Sequence, residues 1–209
     1  MIPELSKQYK ELIEMAERAF AEMQRGYGDR IKCRRGCADC CHAVFGLFLI
    51  EAAYIKERFD RLDRAAQEEI LQRAARMDEE LERMHQRLAR FADEPVMQAY
   101  ALSRERVRCP LLNDKEECVL YSFRPITCRV YGIPVTIHGR AQVCWKAGFA
   151  KGESYPAFDL DAVYKVLYRL SKELMESAGQ NNTEPAAMLI SVSKALKMPY
   201  ENLVRGEFG

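Results

Sequence analysis

Eight cysteines in this chain fall into two groups. The first, Cys33-Arg34-Arg35-Gly36-Cys37-Ala38-Asp39-Cys40-Cys41, puts four sulfurs within nine residues. Thiols this crowded do not fit ordinary apolar core positions, and a looped backbone of this spacing turns several of them toward one centre. The second group, Cys109, Cys118, Cys128 and Cys144, runs through a stretch rich in Arg, Pro and Gly. Each group offers four thiolate ligands, so a fold built around metal is expected, with all eight cysteines as its ligands.

Composition weighs against disulfides. Eight cysteines allow 105 pairings, but such frameworks belong mainly to small secreted domains that lack a core. Here 48% of the 209 residues are hydrophobic, enough for an ordinary core. Met1 to Lys10 is polar and helix-like, without the apolar stretch and cleavage site of a secretory signal. The longest apolar run, Ala43 to Ile50, falls well short of the roughly 20 residues that span a bilayer. The chain therefore reads as a soluble, cytoplasmic protein with no membrane partner. With 32 Lys and Arg against 31 Asp and Glu, the formal charge is +1, so no global field recruits nucleic acid, and none is expected as a partner.

Periodicity predicts a mostly α fold, with helices around an irregular cysteine-rich centre and at most a short β-hairpin. Pro3 to Arg25 carries Leu5, Tyr9, Leu12, Ala16 and Met23 on one stripe, with Gly26 as the stop. A short helix is expected over Leu49 to Phe59 and a long one from about Asp63 to Ala92. In the latter, Ile70, Ala74, Met77, Leu81, Met84, Leu88 and Phe91 form a seam for lengthwise packing, with the first helix as an available mate. After Pro95 a further short helix covers Val96 to Arg106. From Val107 to Gly148 the period is lost, and Val130 to Ile137 with His138-Gly139 reads as half of a hairpin. Asp159 caps a helix to Ala178, stopped by Gly179, and Thr183 with Pro185 starts one that ends before Pro199. The expected organisation is an N-terminal helix (1–29), a cysteine-cluster domain (30–150) with an inserted helical segment at about 50–106, and C-terminal helices (151–209) on the same core.

The 67 residues between Cys41 and Cys109 make a long loop that a shared metal would close, coupling loading to folding. Side chains of consecutive residues tend to diverge, so Cys40 and Cys41 are expected to face different centres. One split groups Cys33, Cys37 and Cys40 with Cys128, leaving Cys41, Cys109, Cys118 and Cys144. Sites with this much thiolate charge call for compensation. Lys32, Arg34, Arg35, Arg108, Arg129 and Lys146 all lie within three residues of a cysteine and are expected to supply donors to sulfur.

The order Cys33-x3-Cys37-x2-Cys40-Cys41, Cys109-Pro110-Leu111, Cys118-x2-Tyr121-x2-Arg124-Pro125-x2-Cys128-Arg129, Cys144 resembles the YkgJ-type cysteine-cluster family of zinc- or iron-chelating domains. The resemblance covers about residues 30 to 150, takes in all eight cysteines and implies a metal-binding module. Within that block Pro125 starts a helix and places Cys128 one turn inside it, so Tyr121, Arg124 and Arg129 are read as supporting the cofactor's ligands rather than as catalysts. His42 is a candidate ligand or hydrogen-bond partner, His138 a turn residue, and His85 lies on a charged helix face.

Irregular cysteine loops suit an iron–sulfur cluster, [4Fe-4S] by preference, better than the paired Cys-x2-Cys knuckles of zinc sites. The radical-enzyme barrel that shares a Cys-x3-Cys-x2-Cys triplet needs alternating strands and helices, which this chain lacks. Three functions follow: an iron–sulfur protein in electron transfer or redox sensing, with a redox protein as partner; a structural or interaction module held by Zn²⁺; or a metal-dependent enzyme. No paired carboxylates and no nucleophile–base order stand out for the last.

Overall fold

A computed structural model describes residues 3–208. The fold is mostly α: eight α-helices and a three-stranded sheet among the described residues. α1 (Pro3–Tyr27), α2 (Leu49–Phe59), α3 (Arg64–Ala89) and α4 (Pro95–Arg104) form the first half. The second half holds α5 (Ile126–Val130), β1 (Val135–Ile137), β2 (Arg140–Gln142), β3 (Phe158–Asp159), α6 (Leu160–Ser177), α7 (Val192–Lys197) and α8 (Tyr200–Val204). No helix among the described residues is long and apolar enough to cross a membrane.

α2 is the axis of the core. Leu49, Ile50, Ala52, Ala53, Tyr54, Ile55 and Phe59 are all buried, so the helix has no solvent face of its own and packs against α6, α7 and α8. Ser171 of α6 accepts from the Ile50 N–H at 3.2 Å and donates to the Leu167 carbonyl at 2.8 Å, which fastens α6 to the start of α2. Asp63 and Asp159 cap α3 and α6, accepting from the Ala66 and Ala162 N–H groups at 2.9 Å.

Three details depart from the sequence expectations. The buried stripe of α3 packs chiefly on α7 and α4, while α1 lies on α5 and α6, so the first helix is not the mate of the seam. α1 continues through Gly26 to Tyr27. The helix expected from Thr183 is broken. Residues 184–187 make one 3₁₀ turn, Ile190 then pairs with Leu47 through bonds of 2.8 and 3.0 Å, and Ser191 caps a new helix. The paired extended residue takes the backbone groups that a continuous helix would have used.

The hairpin forms as β1 and β2 around His138-Gly139, both with positive φ (51° and 67°), the conformation that a tight two-residue turn demands, but its first strand starts at Val135, because Val130 closes α5. Asp161 accepts from both turn N–H groups, at 2.9 and 3.0 Å. β3 pairs with β1 in parallel, giving the order β2-β1-β3.

Candidate metal centre

The first cysteine group lies on a turn and a 3₁₀ helix. Gly36, at φ +84°, lets the chain reverse between Cys33 and Cys37, and the Cys37 N–H donates to the Arg34 carbonyl at 2.8 Å. Residues 39–42 then wind into a 3₁₀ turn. Three residues per turn set neighbouring side chains about 120° apart, where an extended chain would oppose them. Cys40 and Cys41 accordingly both line one cavity, together with Cys128.

The second group is brought to the first by short-range pairing across the 67-residue loop. The Cys109 N–H donates to the Cys41 carbonyl at 2.7 Å, and the Val107 N–H to the His42 carbonyl at 3.0 Å. Cys118 joins through the bridge between its own residue and Leu112. Cys128 rides on α5, whose first N–H, from Ile126, is bound by the buried Glu51 carboxylate of α2 at 3.0 Å. Cys144 arrives on the strand-like segment after β2.

Two adjoining spaces result. A cavity of about 350 Å³ is lined by Cys33, Cys37, Cys40, Cys41, Cys118 and Cys128. A smaller cleft is bordered by Cys33, Cys37, Cys40 and Cys144, with Tyr131 and Lys146. Cys109 borders neither, and its main chain pairs with that of Cys41. All eight sulfurs are therefore brought into one region. Cys33, Cys37 and Cys40 border both spaces, with Cys128 beside them in the larger and Cys144 in the smaller.

Burial sets the electrostatics. It pushes the Cys33 and Cys118 thiols up to about 11 and Cys109 up to about 12, and it raises Cys144 as well. Cys40 goes the other way, because the Cys128 and Cys41 thiols donate to it and favour its thiolate. Backbone N–H groups two residues ahead, from Leu111, Leu120 and Lys146, donate to the sulfurs of Cys109, Cys118 and Cys144. A cation at this place supplies what the thiols otherwise lack, a charge that draws their protons off.

The donor set fits such a cation. It is all sulfur, which selects zinc or an iron–sulfur core over hard oxygen-seeking ions. Among the described residues, no three His, Cys, Asp or Glu side chains stand in finished metal-holding geometry. The thiols are gathered, and a bound centre would draw them inward.

The basic residues near the cysteines serve mostly other partners. Arg129 is buried and donates to Glu17, to the Arg124 carbonyl at 2.9 Å and to the Ser122 carbonyl at 2.8 Å. Arg108 donates to Glu116 and the Asn113 carbonyl, and Lys32 to the Asp29 carbonyl. These three therefore brace the loops that carry the ligands, where donation to sulfur was expected. Arg124 lines the cavity, lies 4.0 Å from the centre of the half-exposed Tyr121 ring and keeps an Nε with no hydrogen-bond partner. The His42 ring bonds the Ala38 carbonyl at 3.1 Å through Nδ1 and borders neither space.

Sequence reasoning missed Asp39, the buried carboxylate inside the first loop, and Arg106, which holds it at 2.9 Å. An acid among four cysteines was the available signal.

A family model described as "putative zinc- or iron-chelating domain", with the signature CxxCxxCC, matches residues 32–145, more than half of the chain. The chain belongs to this family. The CxxCxxCC match takes in all eight cysteines with α2 to α5 and leaves α1 and α6 to α8 outside it. Metal binding and the cysteine-order resemblance stand together on this match. Neither the curated proteins nor the solved structures offer a match to the chain.

Proposed function

We propose that the chain is an iron–sulfur protein that transfers or senses electrons, its cofactor held by cysteines of both groups. The observation that carries this is the cavity of about 350 Å³ with six cysteines on its walls. A tetrahedral zinc ion is closed off by four sulfurs, whereas a polynuclear core needs room between its ligands. The N–H groups directed at Cys109, Cys118 and Cys144 are of the kind that tunes cluster potentials. In this reading Cys33, Cys37, Cys40 and Cys144 serve one side, Cys41, Cys109, Cys118 and Cys128 the other, and Tyr121, Arg124 and Arg129 support them from outside. A reducing cytoplasm suits eight thiols kept as ligands.

The zinc reading draws on the donor set itself: Cys37-x2-Cys40 has the spacing of a zinc knuckle, and both side chains line the cavity that Cys41 and Cys128 share. Anaerobic purification with a visible spectrum and analysis for iron, zinc and sulfide separates the two. The iron–sulfur reading expects brown protein with matched iron and sulfide and absorbance that bleaches on reduction. Colourless protein with stoichiometric zinc overturns it in favour of a zinc-held module.

A further inference from the structure

Asp39 lies inside the first cysteine loop with its side chain only 3% exposed, and none of the family's cysteine pattern accounts for it. A carboxylate so enclosed is costly unless its oxygens are matched. Oδ1 is matched twice, by Arg106 Nη2 at 2.9 Å and Lys146 Nζ at 3.2 Å. Oδ2 accepts from the Cys144 thiol at 3.4 Å. Arg106 Nη2 also donates to the Asp39 main-chain carbonyl at 2.9 Å, and the Arg106 side chain hydrogen-bonds Tyr131.

Three segments distant in sequence are thereby joined at one carboxylate: the 3₁₀ turn of Cys40 and Cys41, the strand-like link at Arg106 that leads into Cys109, and the Cys144–Lys146 arm. Of these, the arm has the least other support. Its neighbours Val143 and Trp145 are exposed, and its nearest regular element is the short exposed strand β2. The arm's own main-chain tie is the Ala147 N–H to the Cys144 carbonyl at 2.9 Å, and the Gly148 N–H anchors it to Arg30 at 2.7 Å.

We infer that Asp39 is the positioning residue for Cys144. It holds the last cysteine against the Cys33–Cys37–Cys40 side of the centre through Lys146 and its own contact with the Cys144 sulfur, with Arg106 fixing the carboxylate, and does not itself line the space between the sulfurs. The inference rests on the proposed metal site, and its test reads the arm separately from the metal. Loss of an outer partner of a ligand characteristically lowers metal affinity about 10- to 100-fold, and here the loss should be confined to the Cys144 side.

The experiment compares the full-length protein, prepared without air, with the Asp39→Ala, Asp39→Asn and Lys146→Gln variants. Two readouts are taken: metal retained against a graded chelator, and the rate at which iodoacetamide labels each cysteine, resolved by peptide mass spectrometry and followed across pH so that the limiting thiolate rate is compared and the effect of Asp39's charge on the thiol is removed. Asp39→Ala is expected to speed labelling of Cys144 over its rate in the parent while Cys109 and Cys118 keep theirs, and to weaken metal retention about tenfold or more. Asp39→Asn, which keeps an acceptor oxygen toward Arg106, restores part of the protection. Lys146→Gln removes one partially exposed tether, leaves a foldable chain, and shifts Cys144 in the same direction by less. Equal Cys144 labelling in the parent, Asp39→Asn and Lys146→Gln overturns the inference, including where Asp39→Ala does not fold. A parent that holds no metal yet shows the selective Cys144 effect refutes the metal site and leaves the clamp standing.

Discussion

Gly132 lies flush against Cys33: a Cβ at residue 132 would stand 2.3 Å from the Cys33 Cβ and 3.2 Å from its sulfur. The glycine is thus the backing on which the first ligand rests, and it follows α5 directly, so the spacing of Cys33 from Cys128 depends on it. Gly132→Ala is expected to push Cys33 off the cavity wall, lower the metal bound per chain and cost about 1–3 kcal/mol of stability, as overpacking does. Metal analysis and urea unfolding check it; full metal content in the variant would show that the contact can relax.

Glu51 gives the fold a pH dependence. Its carboxyl is enclosed between α2 and α5, and burial pushes it up to about 7 despite the Ile126 and Phe48 N–H groups that pull it down. In the unfolded chain the same group releases its proton near its ordinary value of 4.5. Between these values the folded state holds a proton that the unfolded state has lost, so this contribution is full below about pH 4.5 and declines as pH rises toward 7. The span amounts to about 3 kcal/mol. Urea midpoints from pH 4.5 to 8 are expected to fall less in Glu51→Gln than in the parent. Parallel profiles would remove Glu51 as the cause.

Arg129 joins α1 to the loop that precedes Cys128. Removing its guanidinium leaves the Ser122 and Arg124 carbonyls without their donor and Glu17 without its closest partner. Arg129→Met is expected to cost about 3 kcal/mol. Arg129→Lys should recover only part, because one ammonium cannot reach acceptors spread around a planar fork. Denaturant titration of the three proteins gives the order parent, Lys, Met.

Metal removal should loosen the molecule unevenly. The segments at 33–42 and 107–148 hold few helical bonds, and their mutual ties run mainly through the Val107 and Cys109 N–H groups and the contacts of Asp39 with Lys146 and Cys144. The apolar packing of α2 with α6, α7 and α8 is built from residues outside the two cysteine segments, with Cys109 and Cys118 packed against its edge. Chelation under reducing conditions is therefore expected to raise amide exchange in the two cysteine segments while α2 and α6 stay protected. Uniform loss of protection would make the centre the nucleus of the whole fold.

Much of this protein is written locally. The apolar stripe from Leu5 to Met23 specifies α1, the Asp63 and Asp159 side chains fix the starts of α3 and α6, and His138-Gly139 fixes the hairpin, because each depends on neighbours in sequence. The same holds for the family, since its signature is an order of cysteines. Which sulfurs stand together was settled only in three dimensions. Cys128 follows α5, which is anchored to α2 by Glu51, and Cys144 follows an arm drawn in by Asp39, Arg106 and Lys146. The end of α7's approach was likewise decided by Ile190 pairing with Leu47. Partners that lie tens of residues away leave no period or spacing in the sequence; their meeting is dictated by which apolar faces pack and which buried charges must find a match.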